Sequence, residues 1–402
     1  MGRNSISNGG GEPMATVIAA VSDLHCQASM NKQQDVFNLV NSWSPAAVIH
    51  AGDLAYNGYA SEYTLYNGIW GSLKSKAYPC PGNHEYYTAN APNYGAYFGS
   101  RIGSSGHYYY SADIAGWHFI SLDMAAGPVD GTAGSAQYNW LKADLEANTT
   151  KHTVVFWHKP RFSAEDYYGD LTDEKQNDVW ALLVQHRQVE FVINGHCHTY
   201  QRWKRMNNLK VADSVNGIRE FIFATGGYAM KGNYVAHANC EVEYGVGHGG
   251  TVPNPNATTG PFGAAKITLD TDSYKVEYFL TNNYNTPLDT VTQTTRTLTT
   301  PPPPTPPVAS FTVQAGTKYE DLPIQFTDTS TNIPTAWSWA WGDGTGNTTG
   351  TATPTHTFLN PGTYNVTLTA TNGGGSNTTA ATPVVITLTV PVQPPEIGRA
   401  HV

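Results

Sequence analysis

The sequence predicts an α/β first domain followed by a small all-β, immunoglobulin-like sandwich, and three observations carry that expectation. Short apolar runs alternate with stretches of helical spacing through most of the chain, and metal-ligating residue types stand just past the ends of those runs. A proline-rich segment then precedes a remainder rich in Thr, Asn and Gly. At 402 residues the chain exceeds the usual single-domain size, so two domains are expected, each able to bury a core. A formal net charge of -9 offers no basic field for a nucleic-acid backbone, and no apolar run reaches the length of a membrane span.

The opening residues 1–13 are polar and Gly-rich and lack the apolar core of a signal peptide; they are expected to be a disordered leader, with Met14 an alternative start. Four cysteines are too few and too scattered for a disulfide scaffold or a thiolate zinc site, leaving one disulfide or free thiols. Thr16–Val21 reads as a buried strand that delivers Asp23-Leu24-His25. Val36, Phe37 and Val40 then predict a covering helix within 31–43. A second run, Ala46–His50, ends in Gly52-Asp53-Leu54-Ala55-Tyr56, and Leu65, Ile69 and Leu73, four apart, predict the next helix. Pro79, Pro81 and Gly82 mark a tight connection that leaves Asn83 and His84 on a loop.

His107–Tyr110 and Trp117–Asp123 are the next strand candidates, followed by a helix containing Trp140, Leu141, Asp144 and Leu145. The strand Thr153–Trp157 ends in His158-Lys159-Pro160, and a helix around 179–184 leads to the strand Val189–Ile193 and the sequence Asn194-Gly195-His196-Cys197-His198. In extended backbone, residues two apart face the same side, so His196 and His198 can enter one cavity while Cys197 points away. Strand signals continue through Phe221–Gly227 and a hairpin-like pair, Lys266–Asp270 and Lys275–Phe279. The expected organisation is a domain over 14–297, a Pro/Thr-rich linker over 298–308, a β-sandwich over 309–390 and a tail over 391–402.

The first domain thus collects Asp23, His25, Asp53, Asn83, His158, His196 and His198, with His84 beside Asn83. Carboxylate, imidazole and carboxamide donors without thiolate suit Fe, Mn, Zn or Co. Seven such groups exceed the needs of one ion, and Asp53, having two oxygens, is the natural bridge between a pair. Two ions side by side can make a bound water acidic and clamp the oxygens of a phosphoryl centre.

Five blocks, Asp23-Leu24-His25, Gly52-Asp53-Leu54-Ala55-Tyr56, Gly82-Asn83-His84-Glu85, Trp157-His158-Lys159-Pro160 and Gly195-His196-Cys197-His198-Thr199-Tyr200, follow one another in an order that resembles the calcineurin-like metallophosphoesterases, in their purple-acid-phosphatase-like branch. The resemblance implies a four-layer sandwich of mixed β-sheets flanked by helices. It implies that Asp23, His25, Asp53 and His198 hold one metal ion and Asp53, Asn83, His158 and His196 a second, with Asp53 and His84 catalytic and His84 the general acid. The implied reaction is hydrolysis of a small phosphomonoester by a metal-bound hydroxide. A phosphodiesterase on the same site, or a non-catalytic surface-binding protein, are the alternatives. This chain has both His25 and Tyr56, whereas purple acid phosphatases use the tyrosine as a ferric ligand; His25 is the expected ligand here. Arg161, Tyr56 and Tyr200 are expected to line the substrate pocket, Arg161 because a guanidinium engages phosphate bidentately. His50, His118, His152 and His186 read as packing or surface groups.

The second domain resembles a PKD domain through Ser338-Trp339-Ala340-Trp341-Gly342-Asp343-Gly344, Pro354–Phe358 and Pro361–Leu368. That resemblance implies an extracellular or cell-surface protein whose sandwich is a spacer or contacts polysaccharide or the cell surface. Ile397–Val402 is what a widely used sequencing adapter encodes in one frame, so the tail is expected to be partly artefactual.

Overall fold

The computed structural model describes residues 15–27, 32–104, 106–125, 129–164, 174–228, 230, 237–245, 262–298, 306–332, 334–372 and 374–388. The expected leader, the centre of the linker and the tail lie outside the described residues. The chain divides into two compact units, Met1–Thr300 and Pro301–Val402.

The first unit runs β1 (Thr16–Val21), α1 (Gln33–Ser42), β2 (Val48–Ala51), α2 (Ala60–Trp70), β3 (Ala77–Cys80), α3 (Pro92–Phe98), β4 (Tyr110–Ile114), β5 (Trp117–Ser121) and α4 (Ala136–Ala147). It continues with β6 (Thr153–Phe156), α5 (Glu174–Gln185), β7 (Val189–Asn194), β8 (Tyr200–Met206), β9 (Ile218–Phe223), β10 (Cys240–Tyr244), β11 (Gly263–Leu269), β12 (Ser273–Leu280) and β13 (Asp289–Thr294). One sheet has the order β13-β12-β11-β1-β2-β3, the other β10-β8-β9-β7-β6-β5-β4. β1, β2 and β3 are mutually parallel, as are β5, β6, β7 and β9, whereas β11 to β13, β4, β8 and β10 run antiparallel to their neighbours.

The sheets face each other across a core of Ile18, Ile49, Phe119, Phe156, Phe191, Ile193, Phe221, Phe223, Ile267 and Tyr278. The outer face of the first sheet packs on α1 to α3 through Val36, Leu39, Tyr66, Trp70 and Phe98, and that of the second on α4 and α5 through Leu141, Leu145, Val179 and Trp180. This is the four-layer, mixed α/β architecture expected. Strands buried on both faces explain why β1, β2, β6 and β7 read as largely apolar runs.

Two elements differ from expectation in detail. α2 faces the core with the aromatic stripe Tyr63, Tyr66 and Trp70; of the expected Leu65, Ile69 and Leu73, Leu65 is exposed, Ile69 packs on the core in part, and Leu73 is buried in the turn after the helix. β4 begins at Tyr110 because His107 makes only an isolated bridge to Ser104. The second unit is a sandwich of three- and six-stranded sheets around Phe326, Trp339, Trp341, Phe358, Val366 and Leu368. There His356 stacks on Trp341 with centroids 4.3 Å apart and meets Asp343 at 2.7 Å. No helix among the described residues is long and apolar enough to cross a membrane.

Candidate metal centre

Each candidate ligand follows the carboxyl end of a parallel strand: Asp23 and His25 follow β1, Asp53 β2, Asn83 and His84 β3, His158 β6, and His196 and His198 β7. Three of these strands belong to one sheet and two to the other, so the side chains converge across the top of the sandwich. Asp23, His25, Asp53, His196 and His198 have φ of 59°, 45°, 53°, 72° and 53°. Such left-handed backbone is uncommon outside glycine, is tolerated best by Asn, Asp and His, and persists where surrounding structure over-determines it. The strands turn sharply at their ends and aim these residues inward. Gly82 and Gly195 permit the close approach: a Cβ on Gly82 would collide with Asp53, and one on Gly195 would lie 2.7 Å from both Asp23 Oδ2 and the Ala51 carbonyl.

Three groups of donor atoms lie within 4.8 Å of one another: Asp23, His25 and His198; His25, Asp53 and His84; and Asp53, His158 and His196. Asp53 Oδ2 lies 3.5 Å from His25 Nε2 and 3.1 Å from His158 Nε2, so one carboxylate oxygen stands between the two sides. On one side, Asp23 Oδ1 is 3.7 Å from His25 Nε2 and 3.4 Å from His198 Nε2. On the other, His158 Nε2 is 3.1 Å from Asn83 Oδ1 and 3.2 Å from His196 Nδ1. Donors bound at about 2.1 Å to one ion are separated by about 3.0–3.4 Å in octahedral or tetrahedral arrangements. Asp23 Oδ1 and both nitrogens of His25 are buried without a hydrogen-bond partner, which an apolar or purely structural site would not tolerate. The residues therefore fit a metal centre.

The supporting hydrogen bonds orient the donors. His158 Nδ1 donates to the Ala51 carbonyl at 2.8 Å, which turns Nε2 toward Asp53 and Asn83. Asp23 Oδ2 accepts the His196 N–H at 2.9 Å and Asp53 Oδ1 accepts the His84 N–H at 2.9 Å, each leaving its other oxygen for the centre. Burial alone would raise the carboxyl of Asp23, but the neighbouring imidazoles of His198, His25 and His158 hold it well below its ordinary range. Burial likewise opposes ionisation of Asp53, and the charge and hydrogen bond of His158 outweigh it, lowering its pKa. Burial depresses His25 to about 4, and burial with the charge of His158 depresses His196 to about 2. At His158 burial is outweighed by the Asp53 charge and hydrogen bond, which push it up to about 9. Ionised carboxylates and the neutral imidazoles of His25 and His196 are the state a cation prefers, whereas His158 would have to give up a proton to bind one.

Residues 16–200 match the model of the calcineurin-like phosphoesterases, and residues 303–387 that of the PKD domain. The chain carries a calcineurin-like phosphoesterase domain followed by a PKD domain.

Among relatives of the phosphoesterase domain, purple acid phosphatase 18 of Arabidopsis thaliana is 36% identical over 111 residues, 27% of this chain and 24% of that protein. A Synechococcus protein named as a probable cyclic nucleotide phosphodiesterase is 25% identical over 199 residues, 47% of this chain and 75% of its own length. The structure of a purple acid phosphatase from yellow lupin seeds superposes with a TM-score of 0.58 at 16% identity, over 71% of this chain and 55% of that one. The chain spans about a quarter of the length of the first Arabidopsis relatives it matches.

Two residues of the first unit gain a role that sequence reasoning missed. Glu85, fully buried, accepts the backbone N–H groups of Gly82 (2.6 Å), Asp53 (3.0 Å), Leu54 (2.9 Å) and Ala55 (3.0 Å). It clasps the loop carrying Asp53 to the loop carrying Asn83. Burial and then the charge of Asp53 push its carboxyl up to about 7. Tyr228 stacks on His25 with centroids 4.2 Å apart, and the signal for it was Thr225-Gly226-Gly227, another strand end with glycines.

The expected substrate-pocket residues fare differently. Tyr200 is 1% exposed, stacks on Tyr278 at 3.9 Å and donates to Asp289 Oδ2 at 2.5 Å; it is part of the inter-sheet core, and the expectation that it lines the pocket is corrected. Arg161 is also 1% exposed, and the contacts described for its guanidinium are with Asn177 and the Phe162 ring, beside α5. Tyr56 stays half-buried at the site, its ring 5.9 Å from that of His25 and 5.5 Å from that of His84. Cys197 is buried against Ile222 and Ala224 and lies 3.3 Å from Ser163 Oγ, on the opposite side of the chain from its neighbouring histidines. All four cysteines are free. His50 is a core group, beside Tyr66 and Trp70.

Proposed function

We propose that the first domain is a metal-dependent phosphoester hydrolase, acting on monoesters, whose site holds two ions. The observation that carries this is Asp53 Oδ2, placed 3.5 Å from His25 Nε2 and 3.1 Å from His158 Nε2 between two sets of donors. Asp23, His25 and His198 would complete one set and Asn83, His158 and His196 the other, with Asp53 shared. When bound, such ions supply positive charge to a phosphoryl oxygen and make water acidic enough to attack near neutral pH. The chain's own contribution is orientation and proton delivery. His84 Nδ1 donates to the Tyr56 carbonyl at 2.5 Å, so Nε2, 3.9 Å from Asp53 Oδ2, is the atom that can hold a proton toward a leaving oxygen. Glu85 keeps the Asp53 and Asn83 loops in register, and Tyr228 covers the face of His25. Removing His84 should therefore lower turnover about 10²–10⁴-fold, the range for loss of a general acid.

The test is hydrolysis of para-nitrophenyl phosphate against bis(para-nitrophenyl) phosphate with metal content measured on the same sample. Monoester turnover that follows two bound ions supports the reading; absence of turnover in fully loaded protein overturns it. The Synechococcus relative favours a second reading, diesterase action at the same site, which the bis ester would reveal. The PKD domain has a complete apolar core and is read as a spacer on a secreted or surface-exposed protein, with polysaccharide contact the alternative. Retention on insoluble polysaccharide separates those two.

A further inference from the structure

Three tyrosines surround the histidines at the mouth of the site, and none belongs to the apolar core clusters among the described residues. Tyr87 is 62% exposed, its ring centroid 4.5 Å from that of His84 and its hydroxyl 3.4 Å from His84 Nε2. Tyr228 lies on His25, with 24° between the ring planes, and its ring is 5.6 Å from that of Tyr56. The Tyr228 and Tyr56 rings are tilted 41° against each other, so the two form one wall. Tyr56 and Tyr228 are half-buried, presenting part of their surface outward.

Resting on the hydrolase reading above, we propose that Tyr56, Tyr87 and Tyr228 form a subsite for a flat aromatic group on the leaving oxygen of the phosphoester. The position of Tyr87 decides which half of the substrate meets the collar. Its hydroxyl sits beside His84 Nε2, the atom assigned to the leaving oxygen, so a group bonded to that oxygen projects toward the tyrosines. Tyrosine rings offer large area with only two side-chain torsions to immobilise, and offset or edge-to-face stacking favours a planar partner over a puckered ring of equal size.

The experiment compares benzylphosphonate with cyclohexylmethylphosphonate, two unreactive ligands alike in charge and carbon count, by calorimetry on the metal-loaded full chain. The native protein should bind the benzyl ligand about five- to tenfold more tightly, the range expected from one or two stacked pairs. Tyr87→Leu should bring the ratio toward one, and Tyr87→Phe should keep it. Equal binding of the two ligands by native protein, or a preference that survives Tyr87→Leu, overturns the proposal. The hydrolase reading is judged separately with benzyl phosphate. A protein that prefers benzylphosphonate yet never cleaves benzyl phosphate keeps the aromatic subsite and loses the hydrolase assignment.

Discussion

Replacing Asp123 by asparagine probes how a buried carboxyl beside the site makes the fold sensitive to pH. Asp123 is 1% exposed; Oδ2 accepts the Tyr86 hydroxyl and the Tyr108 N–H (3.2 Å), while Oδ1 has no hydrogen-bond partner. Burial raises its pKa from 3.8 to about 6, and the hydrogen bonds from Tyr86 and Tyr108 recover only part of that cost. A folded-state value above the unfolded one means that the folded protein holds the proton more tightly. The associated stability is fully present below pH 3.8 and is lost as pH rises through about 6. Two pKa units at about 1.4 kcal/mol each correspond to about 3 kcal/mol across that window. The readout is the calorimetric stability of the first unit in full-length native and Asp123→Asn proteins at pH 4 and pH 7. The difference of differences should be about 3 kcal/mol, with the native protein losing more; taking it this way cancels contributions from other titrating groups. Parallel pH dependences in the two proteins would refute the assignment of a raised pKa to Asp123.

Glu85→Gln lets one side-chain oxygen keep two of the four backbone N–H groups and turns an amide N–H₂ toward the other two. Orphaning two buried donors costs about 2–6 kcal/mol, offset in part by removing a charge near Asp53, so a lower melting temperature together with weaker metal binding is expected, and native-like metal affinity would exclude a clasp. His196→Ala and His198→Ala should each retain about one ion, lost from different positions, because His196 gathers with His158 and His198 with Asp23. Metal analysis with a distinguishable ion at each position checks this, and loss of the same ion from both variants contradicts it. Iron-loaded protein should show no visible charge-transfer band, since His25 is the side chain that gathers with Asp23 and His198; a purple sample would place Tyr56 on the metal.

Much of this protein could be read from its sequence because the candidate ligands are local to strand ends. An apolar run buried on both faces, followed by glycine and then Asp, Asn or His, announces a strand and the residues it delivers, as β2 with Asp53 and β7 with His196 illustrate. Side chains whose position depends on distant partners were not legible. Tyr200 adjoins the His196-Cys197-His198 motif yet is drawn into the core by Asp289 and Tyr278, each more than 70 residues away. Glu85 stood inside a recognised block, but its part as a clasp depends on the N–H groups of residues 53–55 reaching it across the β2–β3 pair. α2 shows the same limit, since Leu65-Ile69-Leu73 and Tyr63-Tyr66-Trp70 both repeat at helical spacing and only packing selects the face. Chain-local chemistry thus determined which residues can bind a metal. Tertiary structure decided that Asp53 Oδ2 stands between two donor sets and that tyrosines from the segments after β2, β3 and β9 lie against their histidines, because both depend on distances between segments that spacing along the chain does not encode.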